Sequence, residues 1–165
     1  MFVRKAVDKD LPEVFLMGFD TWAEKGFTKE QHIDFCQKRM EYKYGNWYVI
    51  EDEEKIKSSL ICYRNAFGLI SGAVGIGSVA TLPEFRKQGY MAQLLSKFIY
   101  IENNLEKVDY FFLFSDVDPY VYQKHGFIIL PKEFQKYEHT VAMILPVLLT
   151  FDLILSKNFV SPDYF

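Results

Sequence analysis

Residues 79–100, VATLPEFRKQGYMAQLLSKFIY, constrain this chain more than any other stretch. Val79 closes a β-rich run. Leu82 and Pro83 then end any strand ladder, because proline has no N–H to donate. A short basic turn follows, Arg86-Lys87-Gln88-Gly89. After it Met91, Leu94, Leu95, Phe98 and Ile99 recur at i, i+3, i+4, i+7 and i+8, the apolar face of an α-helix. The order is therefore strand, tight basic turn, helix.

A helix that starts this way presents free N–H groups and the positive end of its dipole. Gly89 has no Cβ, so a ligand can approach its backbone closely. Arg86 and Lys87 add positive charge. Together these features suit an anion, best a phosphate or diphosphate. The same residues also fit a plain strand–helix connection with two solvated cations, and the turn alone does not choose between them.

With 165 residues the chain is long enough for one domain with a sizeable core. Half of the residues are apolar and 18% are aromatic, which excludes a disordered chain. A net charge of −3 and a pI near 5.6 argue against a nucleic-acid partner. Cys36 and Cys62 lie far apart, with no C-x-x-C and no His at metal-ligand spacing, so buried free thiols and no metal site are expected. Arg4, Lys5 and Asp8 interrupt the N-terminal stretch before any signal-peptide core forms. The longest apolar run, 141–155, contains Pro146 and Asp152 and is too short to span a bilayer. The expectation is a soluble cytoplasmic protein without a membrane partner.

Taken in order, residues 2–7 alternate as a first strand. Asp8 is a candidate N-cap for a helix carrying Leu11, Val14, Phe15 and Met17 toward Trp22. Thr28 is a candidate cap for a second helix over 28–40. Phe19, Trp22, Phe27 and Phe35 are read first as core beneath these helices, with an acceptor pocket as the alternative. Residues 47–50 form a strand, and the acidic run 51–54 a solvated hairpin turn. Strands follow over 56–63 and 67–79. The second of these contains Gly68, Gly72, Gly75 and Gly77. GAVGIGS lacks the Lys-Ser/Thr of a phosphate loop and no helix follows it directly, so a bulge or a close approach of another backbone or ligand is predicted. The run 108–114 reads as a strand buried on both faces. Asp118 caps a short helix over 119–124 that ends at Gly126. Residues 127–130 and 138–145 complete the strands, giving one mixed α/β domain.

TLPEFRKQGYMAQLL resembles the acetyl-CoA segment of the GNAT N-acetyltransferase superfamily. That segment reads hydrophobic-x-Pro-x-x-Arg and then Arg/Gln-x-x-Gly-x-Gly/Ala. Pro83, Arg86 and Gly89 match, whereas Met91 stands where the family has a small residue. VYQKHGF is similar to a second family motif, hydrophobic-Tyr-x-x-x-Gly-Phe, in which Tyr122 takes the position facing the CoA sulfur. The resemblance covers residues 2–145. It implies an α/β (α+β) fold with one mixed, mostly antiparallel sheet of about seven strands, about four flanking helices and splayed central strands. Residues 146–165 would be an apolar extension packing on the domain or on a partner subunit, which is compatible with a homodimer.

The resemblance further implies acetyl transfer from acetyl-CoA to a primary amine, small-molecule or peptide, by direct attack in a ternary complex. Thr81, Leu82, Arg86, Lys87, Gln88, Gly89, Tyr90, Met91 and Ala92 would hold the cofactor. Within that set a free N–H near Thr81 or Leu82 would polarise the acetyl carbonyl. Tyr122 would be the general acid. For the base the resemblance names no residue; Asp116, by its place at a strand end, is the first candidate, with Glu84, Asp118 or a water as alternatives. His32, His125 and His139 are assigned no role, and neither cysteine is given a His partner, so no covalent step is expected. A protein on the same scaffold that binds acyl-CoA without turning it over remains an alternative, as does a transferase for longer acyl chains.

Overall fold

The computed structural model describes residues 1–156 and 158–165. Its sheet has seven strands in the order β1-β2-β3-β4-β5-β7-β6 and is mixed and open. The strands are β1 (Phe2–Lys5), β2 (Gly45–Asp52), β3 (Lys55–Tyr63), β4 (Ala73–Thr81), β5 (Tyr110–Ser115), β6 (Ile128–Ile129) and β7 (Val141–Pro146). Among the described residues seven short or long α-helices accompany them, rather than about four. They are α1 (Leu11–Leu16), α2 (Phe19–Trp22), α3 (Lys29–Lys38), α4 (Met40–Lys43), α5 (Tyr90–Leu105), α6 (Tyr120–Gln123) and α7 (Phe151–Ser156). The excess comes from division of the segment before β2 and from the helix α7 after the last strand. No helix among the described residues is long and apolar enough to cross a membrane.

Two compact units make up the chain, the first comprising Met1–Cys62 and Ser78–Tyr100. Here β1 pairs antiparallel with β2, Phe2 facing Glu51 and Lys5 facing Tyr48. Arg4 braces the pair, its Nε donating to Glu51 (2.9 Å) and its guanidinium reaching Asp10. Asp8 does not cap the helix: it opens the short turn Asp8–Asp10 before α1, which Asp10 closes by accepting from the Val7 amide at 2.8 Å. Thr28 and Gln31 form a reciprocal capping box on α3. The predicted apolar face of α5 is the buried one: Leu94, Leu95 and Phe98 are fully enclosed, and the Phe98 ring meets Tyr48 edge-on at 5.0 Å.

Strands β2 and β3 are joined by two residues, Glu53 and Glu54, with φ of +51° and +59°. Left-handed conformations at both central positions match the twist of a two-residue hairpin, although glutamate pays a steric penalty there.

The second unit comprises Tyr63–Gly77 and Ile101–Phe165. Strand β4 pairs parallel with β5 over four positions, from Ala73–Tyr110 to Ile76–Leu113. Strand β7 pairs antiparallel with β5 along its whole length and with β6 on its other side. The strand predicted from residue 67 starts only at Ala73. Phe67, Gly68 and Gly72 have φ of +54°, +80° and +87°, and this left-handed run cannot continue a ladder. Asp118 caps the helix before Gly126 as the sequence predicts, accepting from the Tyr120 amide at 3.0 Å.

The hairpin turn gives a direct test of this local geometry. Glu53→Asn with Glu54→Gly should stabilise the protein by about 1 kcal/mol, since Asn-Gly suits two left-handed positions. The gain would be read as a higher urea midpoint at unchanged slope.

Candidate active site

In the first unit, the turn before α5 is built from alternating backbone. Lys87 has φ +61° and Gly89 φ +84°, while Gln88 between them is not left-handed. Such alternation turns successive amides toward one concavity, an anion-binding nest. Residues 86–89 are all exposed. A Cβ on Gly89 would meet only Gln93 Nε2, at 3.9 Å, so the glycine is required by its φ and its surroundings are open. The first helical amide with a main-chain acceptor is that of Gln93, to Gly89 O at 3.0 Å. The amides of Tyr90, Met91 and Ala92 are those that a helix start leaves over. Gln88 steadies the turn by donating to Glu84 O (2.8 Å), and Tyr90 ties the first helical turn to Asp52 (3.0 Å). The left-handed glycine, the open space beside it and the amides of a helix start fit a diphosphate such as that of CoA.

The charges at this corner are arranged differently from the sequence expectation. Arg86 makes a bidentate pair with Asp20 (2.7 and 2.8 Å) and donates through Nε to Thr81 O (3.0 Å). The guanidinium holds the Asp20 carboxyl below the usual carboxylate range, chiefly by hydrogen bonding. Asp20 is 66 positions away in sequence, so no local signal announces it. A second cation was not foreseen: Lys57 is buried, with Nζ 3.7 Å from the centroid of Phe85 and 5.9 Å from that of Tyr90. Leu82 does not offer a free N–H, because it donates to Lys57 O at 3.1 Å and so keeps the chain attached to β3 beyond the end of β4. Thr81 donates its hydroxyl to Ser58 (2.9 Å). The left-handed kink in β4 falls at Ser78, φ +44°, just after the glycine-rich segment expected to bulge. Met91 and Ala92 are half-buried.

The helical pair of the first unit encloses a cavity of about 20 Å³, lined by Phe15, Trp22, His32, Tyr42 and Trp47 among others. That volume admits about one water and no amine acceptor. The Trp22 ring lies against Gly18 so closely that a Cβ there would sit 2.0 Å from it. Phe27 and Phe35 meet edge-on at 5.8 Å, and Phe19 packs on His32. Phe19 and Phe27 are nevertheless only half-buried, and Trp22 and Phe35 are exposed, so these four aromatics flank the core formed by Val14, Phe15 and Met17 and do not belong to it.

Within that core the structure corrects one expectation. His32 and Cys36 are partners: Cys36 Sγ is 3.5 Å from His32 Nε2, which also lies 3.1 Å from Phe15 O. Their i, i+4 spacing on a predicted helix was the available signal. Donation from Nε2 to Phe15 O leaves Nδ1 as the bare ring nitrogen, and it is buried without a hydrogen-bond partner among the described residues. Burial pushes the Cys36 thiol up to about 11, so the pair holds no thiolate at neutral pH.

In the second unit, Tyr122 sits on the short helix α6, held by its amide to Pro119 O (2.9 Å). Its side chain is buried and its ring meets Phe127 edge-on at 6.0 Å. Burial, and secondarily the charge of Asp116, push its phenol up to about 12. Asp116 is exposed at the end of β5, where its Oδ2 accepts from the Tyr164 hydroxyl at 2.7 Å. Ser115 and Thr140 fix the backbone beside it, Ser115 Oγ donating to Val117 O (2.8 Å) and Thr140 Oγ1 to Ser115 O (3.1 Å). The sequence alone did not connect Tyr164 with Asp116. Glu84 is exposed in the turn after β4, and no group of three or more His, Cys, Asp or Glu able to hold a metal occurs among the described residues.

Comparison with known proteins places these features in context. The sequence profile described as an acetyltransferase (GNAT) domain matches residues 3–130. No curated protein matches the chain in sequence. Among solved structures, YhbS, a GNAT family N-acetyltransferase from Escherichia coli in complex with CoA, superposes with a TM-score of 0.69 at 16% identity, covering 99% of this chain and 89% of that one. The ribosomal-protein-S18-alanine N-acetyltransferase from Escherichia coli gives 0.66 at 15% identity, covering 90% and 95%. A spermidine N-acetyltransferase chimera from Vibrio cholerae and hSSAT gives 0.65 at 13% identity, covering 88% and 96%. At these identities the likeness is one of fold.

The two buried free cysteines give a chemical test. In the native protein neither Cys36 nor Cys62 should react with an aromatic disulfide reagent at pH 8 faster than about 1% of the free-thiol rate, and both should react at once in denaturant. Rapid labelling of native Cys36 would mean an activated thiol.

Proposed function

The chain belongs to the GNAT acetyltransferase family, and from that premise we propose that it is an N-acetyltransferase moving an acetyl group from acetyl-CoA to a primary amine. The observation that carries the proposal is the exposed corner at residues 87–89, with Lys87 and Gly89 left-handed and a long helix starting at Tyr90. Main-chain amides of Gly89, Tyr90, Met91 and Ala92 would bind the diphosphate. Lys87 and Lys57 would supply charge, and Gln88 would hold the turn in shape. Arg86 acts on the turn through Asp20 and Thr81 rather than as a free phosphate ligand. Thr81 ends β4, and Leu82 carries the chain on into that turn.

Acetyl-CoA supplies an activated thioester. Tyr122 is the proposed general acid for the departing sulfur. Its burial keeps the phenol neutral across the working pH range. Transfer from so weak an acid becomes favourable only as negative charge develops on a sulfur that is itself cut off from water, because desolvation raises the proton affinity of a thiolate too. Asp116 is the proposed base, taking the proton of the attacking amine. Neither cysteine takes part, which leaves direct attack by the amine. Relatives of this fold are named for an alanine of a ribosomal protein and for spermidine, both amines, which supports the acceptor class without choosing within it. A cytoplasmic setting and a dimer formed through the segment after β7 belong to the same reading.

Calorimetric titration with acetyl-CoA followed by CoA release across an amine panel tests the proposal. Tight binding with turnover is expected; binding without turnover on any amine would make the chain a CoA-binding protein. Tyr122→Phe should lower kcat by about 10² to 10³ while leaving acetyl-CoA affinity within about twofold. The acid must be protonated, so a raised pKa moves the alkaline fall in rate upward. The wild type should lose no rate to Tyr122 ionisation below about pH 11. A fall between pH 8 and 10 that vanishes in Tyr122→Phe would contradict this. Gly89→Val should weaken acetyl-CoA binding by at least about tenfold, since a branched side chain resists positive φ.

A further inference from the structure

The two glycines of β4 that open no bulge have another use. A Cβ on Gly75 would lie 2.8 Å from Phe165 Cζ, and one on Gly77 would lie 3.3 Å from Phe165 Cδ2. Both would strike the same ring. Four further aromatic side chains surround that ring, with centroids 5.1 Å away at Tyr63, 5.5 Å at Phe114, 5.7 Å at Phe67 and 6.2 Å at Phe112, all tilted or edge-on. Gly75 and Gly77 thus floor a slot on the sheet, aromatic groups wall it, and a benzene ring fits it in the geometry that aromatic pairs prefer.

Floor and most of the wall belong to β3, β4 and β5, which are paired strands. The occupant belongs to an irregular segment anchored by the buried Ser161, which donates to Phe134 O (2.5 Å), while its last residues are tied at the surface. The Asp163 amide donates to Phe67 O (2.8 Å), the Tyr164 amide to the Tyr137 hydroxyl (3.1 Å), and the Tyr164 hydroxyl to Asp116 (2.7 Å). Lys136 pairs with Asp163 in the open. Tyr164 is 46% exposed and Phe165 half-buried. Solvent-exposed ties of this kind are individually weak. One of them ends on the carboxylate assigned above as the base.

We propose that this slot is a binding site for an aryl group of the acceptor amine, filled in the free protein by Phe165. The acceptor class is then an arylalkyl amine or an aromatic peptide residue. An incoming ring displaces Phe165, draws Tyr164 off Asp116, and so frees that carboxylate to take the proton from the ammonium group of the same acceptor. The link to Asp116 rests on the acetyl-transfer reading; the affinity of the slot for a ring does not.

The test uses 2-phenylethylamine and, as the ringless control, n-butylamine, titrated by calorimetry without any acyl-CoA. Phe165→Ala should bind phenylethylamine about tenfold or more tighter than the wild type does, with butylamine unchanged. Tyr164→Phe keeps the ring in place but loses the tie to Asp116, and should bind phenylethylamine about threefold tighter. Thermal unfolding of each variant reports its folding, and Tyr164→Phe alone decides the matter if Phe165→Ala does not fold. The inference is overturned if the folded variants show no gain for phenylethylamine, or the same gain for butylamine. The two readings fail separately. Tighter ring binding without CoA release from acetyl-CoA on any amine would sink acetyl transfer and leave the slot standing. Turnover of amines with unchanged ring affinity would do the reverse.

Discussion

The amides that open α5 are kept from main-chain partners by the left-handed turn before them, and the rest of the first unit is arranged to hold that turn. Gly89 adopts a φ that a side chain would resist, and its missing Cβ leaves the concavity open. Behind it, Leu94, Leu95 and Phe98 drive the helix onto the sheet; each buried side chain of this size is worth roughly 1.5–3 kcal/mol. The apolar stripe thus fixes the axis along which the helix dipole acts. Arg86, expected from the sequence to hold the cofactor, is paired with Asp20 and braces the corner. Lys87 lies in the turn itself, and Lys57 stands against the rings of Phe85 and Tyr90.

In the second unit the governing feature is the short parallel pairing of β4 with β5. Only four positions pair, and two glycines on β4 leave one face hollow enough for a whole ring. The segment carrying Phe165 exploits that hollow and reaches Asp116 through Tyr164. Tyr122 shares the unit and stays protonated because its surroundings exclude water. Aromatic contacts set both places: Tyr122 packs on Phe127, and Tyr164, which donates to Asp116, packs on Phe114 and Tyr137.

Much of this was legible in the residues. The 3.6-residue period over 91–99 identified the buried face of α5, the acidic run marked the hairpin, and Thr28 and Asp118 announced their caps. Periodicity and capping are local, and local signals survive in sequence. What escaped was set by distant partners. Asp20 meets Arg86 across 66 positions, and the Trp22 ring takes its place only because Gly18 has no side chain. The glycines of β4 were correctly read as permitting close approach, but the approaching group lay at Phe165. Left-handed residues at 67–72 shortened a strand that composition alone prolonged. The His32–Cys36 pair was within reach, since i, i+4 neighbours on a helix meet.

The central claim is that main-chain amides at the start of α5 receive the diphosphate of CoA. Amide chemical shifts followed by NMR during titration with CoA, and in parallel with dephosphorylated pantetheine, test it most directly. The amides of residues 87–92 should move first and furthest with CoA and stay nearly still with pantetheine. Saturable CoA binding that leaves those six amides unshifted would contradict the account.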